Sequence, residues 1–263
     1  NRMKINIEYN KKIYKLDSNS GIDISIPRSF RKDEAPKFYD TETPYVDYFQ
    51  YKNKKYNLEK SGPCNVPIIK FNIHCSGTHT ECANHIIKNA PTINKIKNIS
   101  FIPSQLITIE PIKHTNEGYH CNLAENDCVI TKAQLLNSIL DNNLFNDGLI
   151  IRTIPNDIDK CNRDYNLKHH PFLSNDAILF LKNRGIKHLI IDTPSIDRYD
   201  DNGKLGNHNL YFSEGENMYN TNTITELVYI PNECKDGKYF VNLGVSNFIL
   251  DAAPSRPIIF PVL

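Results

Sequence analysis

The sequence predicts an α/β fold with a substantial strand content, and three observations predict it. Short apolar runs broken by Pro, Gly and Asn fill the first half, at Ile22–Ile26, Ile68–Ile73, Phe101–Ile102 and Leu106–Ile112. That punctuation is the one strands carry. Two capped helical patterns stand in the middle of the chain. Around the second of them the order is strand (Gly148–Thr153), helix, strand (Ile186–Asp192), which reads as a βαβ unit.

Each element has its own local reason. Thr131-Lys132-Ala133-Gln134 has the spacing of a capping box and leads into AQLLNSIL. Ser174 can cap a helix through DAILFLKN, which Gly185 would end at C′. The strand after it runs into Asp192-Thr193-Pro194-Ser195, and in open α/β sheets chemistry collects at such carboxyl ends. Two more strands are predicted in the tail, Tyr239–Val245 and Ile258–Val262. Residues 28–62 are polar and Tyr-rich, with Pro36 and Pro44, and read as a long surface excursion. With no internal repeat and no low-complexity linker, residues 1–263 read as one domain.

Composition excludes several classes. A formal net charge of +1 gives no reason to expect nucleic acid or an anionic membrane as partner. No apolar run approaches a bilayer span, and residues 1–17 lack the apolar core of a secretory signal, so the expected location is cytoplasmic. Seven cysteines form no CxxC pair, and a chain of 263 residues needs no disulfide staples. They read as free thiols in a reducing compartment, most of them small buried hydrophobes.

The densest chemistry lies in FNIHCSGTHTECANHI, residues 71–86, which holds three His, two Cys and one Glu. If the segment is extended, Cys75, His79, Glu81 and His85 face one way and Cys82 the other. If it turns helical after Gly77, Glu81 and His85 still share a face. Imidazole plus carboxylate is a usual start for a Zn²⁺ or Mn²⁺ site, with further ligands to come from elsewhere. The plainer alternative is a polar loop whose side chains hydrogen-bond among themselves.

The stretch resembles the signature H-x-G-T-H-x-D-x-P-x-H of the cyclase-like metal-dependent hydrolases, a family that includes bacterial kynurenine formamidase and isatin hydrolase. Gly77, Thr78, His79 and His85 match it; Glu81 stands for Asp, Ala83 for Pro, and Cys75 for the first His, with His74 one residue earlier. The resemblance is collinear along the chain. IDISIP (22–27) looks like the opening strand, and IKHLIIDTPSID (186–197) resembles the segment before the second ligand cluster. His208 in NHNLYF and Glu226 in TITELVYIP match the completing His and Glu, and APSRPIIFPV resembles the closing strand.

The resemblance implies a swivelling β/β/α domain assembled as a homodimer or larger oligomer, acting on a small-molecule substrate. It implies His79, Glu81, His208 and Glu226 as ligands, with Cys75 or His74 as a further one and His85 as catalytic acid/base. One or two divalent ions are implied, Zn²⁺ first and Mn²⁺ second. Strand parity favours Cys75 over His74, and a thiolate would favour Zn²⁺. The expected reaction is hydrolysis of a formamide, a cyclic amide or a lactone-type ester. The alternatives are a non-catalytic binding or structural protein on the same scaffold, and a thiol catalyst using Cys75 or Cys82 with His79 or His85. His169 and His170 are candidate substrate contacts, Asp197 a candidate orienter of a ligand, and Ser195 a turn-capping residue. His114, His120 and His188 read as surface or packing residues, and Arg256 as one half of a structural ion pair.

Overall fold

The computed structural model describes residues 3–30, 34–140, 145–215 and 218–263; residues 31–33 of the predicted excursion lie outside it. Among the described residues the body is a nine-stranded mixed sheet. Its strands are β1 (Ile22–Asp23), β2 (His79–Cys82), β3 (Ile102–Ile109), β4 (Gly148–Thr153), β5 (His188–Ile191), β6 (Thr223–Glu226), β7 (Gly237–Asn242), β8 (Ala252–Pro254) and β9 (Ile258–Pro261). The order across the sheet is β8-β2-β6-β5-β4-β3-β7-β9-β1. The four central strands β3, β4, β5 and β6 run parallel, and the flanking pairs are antiparallel.

The predicted βαβ unit is present. Between β4 and β5 runs helix α2 (Asn175–Asn183), capped by the Ser174 hydroxyl and followed by Gly185 at φ 79°. Helix α1 (Lys132–Ser138) carries the full capping box between Thr131 and Gln134. Helix α3 (Gly206–Phe212) follows β5 and carries His208. The two predicted runs Phe101–Ile102 and Leu106–Ile112 are one strand, because Pro103 sits opposite Phe240 within the ladder and does not break it. Predicted Ile68–Ile73 is shorter, Pro67–Lys70, and among the described residues pairs only with Tyr45–Tyr48 in an exposed ribbon.

Central strands covered on both faces read as continuous apolar runs. Here alternate residues split between two cores: Leu149, Ile151, Leu189 and Ile191 pack on the helices, Ile150 and Ile190 on the opposite side. Arg256 pairs with Asp23 at 2.7 Å, as read from the sequence. Among the described residues no helix is long and apolar enough to cross a membrane.

Candidate metal centre

The site forms where β2 lies beside β6, with His79 directly opposite Glu226. His79 and Glu81 share one face of β2, as parity requires, and both are fully buried. Before the strand, however, residues 73–77 form a turn, and after it Ala83–His85 is a short 3-10 turn. Gly77 sits at φ 128°, a conformation open to glycine and strained for other residues. Thr78 fixes the loop, its hydroxyl donating to the Leu227 carbonyl and accepting from Ile26 N.

The turn sets the two neighbours at 74 and 75 apart. Strand parity does not apply there, and it is the His74 ring that turns toward Glu81, Nδ1 lying 3.2 Å from Oε2. Cys75 instead packs with Ile26, Phe38, Tyr165 and Leu227, and lines a separate cavity of about 250 Å³. Burial pushes its thiol up to about 11, away from a ready thiolate. Cys82 likewise packs among Ile93, Ile96 and Ala253, raised by burial to about 11.

Glu81 is the hub. His208 Nε2 stands 2.9 Å from its Oε1, while His74 Nδ1 and His85 Nε2 (3.8 Å) approach Oε2. His79 Nε2 is 3.4 Å from Glu226 Oε2, and His208 Nε2 is 3.7 Å from Glu226 Oε1. Glu226 Oε1 also accepts from Ile196 N at 2.9 Å. Backbone strain marks the two ligand-type residues from the distant part of the chain. Leu227, after Glu226, has φ 53°, and Leu205, entering α3, has φ 46°. Such conformations cost roughly 1–3 kcal/mol each and persist where surrounding structure enforces them.

Further carboxylates hold the imidazoles from behind. His208 Nδ1 is 2.7 Å from Asp197 Oδ2, and Asp251 Oδ2 is 2.9 Å from both His74 Nε2 and His85 Nδ1. Asp251 escaped the sequence reading, since nothing local in LDAAPSRP announces a site and only the pairing of β8 with β2 brings it there. Ser195 caps the turn before Asp197, accepting from its backbone N at 3.1 Å. His120, read as a surface or packing residue, lies 3.1 Å from Asp201 and 3.9 Å from Asp197. His169 stacks on Tyr199, and His170 donates toward the Asp197 carbonyl; both line a cavity of about 220 Å³ apart from the Glu81 cluster.

The electrostatics are those of a buried acidic centre facing imidazoles. Burial opposes the charge of Glu81, but His85 and His208 outweigh it and hold its carboxyl well below the usual range. Burial equally opposes a charged His208, and Glu81 and Asp197 overturn that, raising it well above an ordinary imidazole. At His74, burial is again outweighed, by Asp251 and Glu81, and the ring is raised to about 10.

The donor set fits a divalent ion. His79 Nε2 and both Glu81 oxygens are buried with no aligned hydrogen bond, although His208 Nε2 approaches closely. One nitrogen or oxygen from each of His79, Glu81 and Glu226 lies within 4.8 Å of the others, and the same holds for His74, Glu81 and His85. An ion would give these buried atoms the partner they lack, and mixed imidazole and carboxylate donors suit Zn²⁺ or Mn²⁺.

Comparison with known proteins gives a consistent family. A family model named Cyclase, described as "Putative cyclase", matches residues 22–198. No curated protein sequence matches. A predicted metal-dependent hydrolase from Bacillus stearothermophilus is similar in structure with a TM-score of 0.57 and 16% identity, over 91% of this chain and 97% of that one. Isatin hydrolase A from Labrenzia aggregata, bound to benzyl benzoate, gives 0.63 and 13% over 94% and 96%. Isatin hydrolase A from Ralstonia solanacearum gives 0.57 and 11% over 92% of each. At these identities the likeness to the solved structures is one of fold.

Proposed function

The chain belongs to the Cyclase family, and we propose that it is a metal-dependent hydrolase of a small amide, cleaving the C–N bond of a formamide or cyclic amide. The observation that carries this reading is the convergence of His79, Glu81, His208 and Glu226 around buried polar atoms that lack hydrogen bonds. These four residues would hold the ion, with His74 in place of Cys75 on the far side of Glu81. A bound divalent ion supplies a Lewis acid for the carbonyl and brings the pKa of water to about 7.

The chain's own residues do the rest. Asp197 holds His208 with its Nε2 toward Glu81. His85, with a side chain 23% exposed, stands between the buried carboxylate and solvent. An imidazole in that place can take a proton from water and return it to the leaving nitrogen. An all-nitrogen-and-oxygen donor set serves Zn²⁺ and Mn²⁺ alike. His169 and His170 would contact substrate from the cavity they line. A homodimer or larger assembly would cover the exposed Tyr45, Ile68 and Ile69 of the ribbon.

Metal analysis of the purified protein tests the reading. We expect at least one Zn²⁺ or Mn²⁺ per chain, lost in the His79→Ala/Glu226→Ala double variant. Protein that binds neither ion after incubation with both would sink it, leaving a non-catalytic protein on the same scaffold. Amide hydrolysis unchanged in His85→Ala would remove His85 from its role. A second ion is the other reading, favoured by the closeness of His74, Glu81 and His85. It predicts two ions per chain, and one in a His74→Ala/His85→Ala variant.

A further inference from the structure

One oxygen, Oδ2 of Asp251, lies 2.9 Å from Nε2 of His74 and 2.9 Å from Nδ1 of His85. The two rings stack on each other at 4.3 Å between centroids and 29° between planes. An ionised carboxylate can only accept, and one of its oxygens has two lone-pair sites. Each imidazole must therefore donate to it, and from different ring nitrogens. The remaining nitrogens, Nδ1 of His74 and Nε2 of His85, both face Oε2 of Glu81, at 3.2 and 3.8 Å.

We propose that Asp251 is a positioning residue that holds a proton on Nε2 of His74 and on Nδ1 of His85, so that the two rings turn opposite nitrogens toward Glu81. Nδ1 of His74 is thereby the nitrogen aimed at the site of an ion, and His85 is held in the tautomer that leaves Nε2 as its base. The consequence for metal binding rests on the centre proposed above; the tautomer of His85 rests on the hydrogen bonds alone.

The backbone is built to aim this carboxylate. Asp251 immediately precedes β8, whose Ala252 and Pro254 pair with Glu81 and His79. Its carbonyl accepts from Cys82 N at 3.0 Å and from the Cys82 thiol at 3.2 Å. The Asp251 side chain is 31% exposed, so a small carboxylate from solvent can reach its position. Outer-shell partners of this kind are worth about 10–100-fold in metal affinity or activity.

The test uses Asp251→Ala, and Asp251→Leu as a second variant of similar outline without an acceptor. Nitrogen-15 NMR of the histidine rings reads the tautomer of His85, and competition with a chromogenic chelator reads Zn²⁺ affinity. In both variants we expect His85 to move its proton to Nε2 and Zn²⁺ to bind about 10–100-fold more weakly. Formate should restore both properties to Asp251→Ala, and Asp251→Asn, which keeps an oxygen acceptor, should retain the tautomer. The proposal is overturned if His85 keeps its Nδ1 proton in a folded Ala or Leu variant, or if Zn²⁺ affinity stays within about twofold of the unaltered protein. No readout needs a substrate. Failure to find a hydrolysed amide would thus count against the hydrolase alone, and an unmoved His85 against Asp251 alone.

Discussion

The imidazole of His208 is held by Asp197, Nδ1 to Oδ2 at 2.7 Å, with Nε2 left facing Oε1 of Glu81 at 2.9 Å. The same carboxylate accepts from the backbone N of Asn207 and His208 and from the Tyr119 hydroxyl. Its orientation is therefore set by four donors before any ion binds. A histidine ligand whose second nitrogen meets a carboxylate has its ring orientation and tautomer fixed, and it becomes a stronger base toward metal.

Replacing Asp197 by Asn puts an amide NH₂ among these donors. We expect Asp197→Asn to bind Zn²⁺ roughly 10–100-fold more weakly while remaining folded. Competition with a chromogenic chelator measures the affinity, and circular dichroism the fold. An unchanged affinity would reduce Asp197 to a support for the 195–208 turn.

How far this centre was legible depends on whether each residue's position follows from local sequence. His79 and Glu81 follow from strand parity, since β2 is regular over both. His208 and Glu226 carry no local signal of their own and were legible only through collinear resemblance. That the His74 ring, and not the Cys75 thiol, lies against Glu81 was not legible, because parity fails in the 73–77 turn that Gly77 permits. Asp251 was the least legible, reaching the site through long-range pairing of β8 with β2. In the fold, the capped helices and the βαβ unit were readable from punctuation. The merging of two runs into β3 was not, since a proline within a ladder argues locally for a break.

Two buried histidines away from the Glu81 cluster make stability depend on pH. Burial lowers His170 to about 4, and burial lowers His188 to about 4, the latter bonded through Nδ1 to the Thr223 hydroxyl at 2.9 Å. Their unfolded value is about 6.5. The folded state therefore resists a proton that the unfolded chain accepts. Their contribution is complete above pH 6.5 and is lost as pH falls from 6.5 toward 4. Each amounts to a loss on the order of 3 kcal/mol at the acid end. Chelator-treated protein should show this slope in urea denaturation at stepped pH, and His188→Gln should flatten part of it. A stability constant between pH 6.5 and 4 would refute the assignment.

A buried ion pair stands at the carboxyl ends of β4 and β5. Lys160 Nζ lies 2.8 Å from Asp192 Oδ2 and also donates to the Thr153 carbonyl at 2.6 Å and hydroxyl at 3.0 Å, all buried. The pair ties the carboxyl ends of β4 and β5 together, one residue before Thr193, whose carbonyl accepts from Leu227 N next to Glu226. Removing one partner of a buried pair leaves the other charge uncompensated, a loss of about 3–5 kcal/mol. Lys160→Met should lose that much, because among the described residues Asp192 would keep only its hydrogen bonds from Thr153. Adding Asp192→Asn removes the stranded charge, so the double variant should be more stable than Lys160→Met alone. Thermal denaturation of the three proteins in chelator decides it. A Lys160→Met cost below about 1 kcal/mol would mean that the pair behaves as an exposed ion pair does, and that β4 and β5 are joined at this end by their ladder and the Thr153–Asp192 hydrogen bonds.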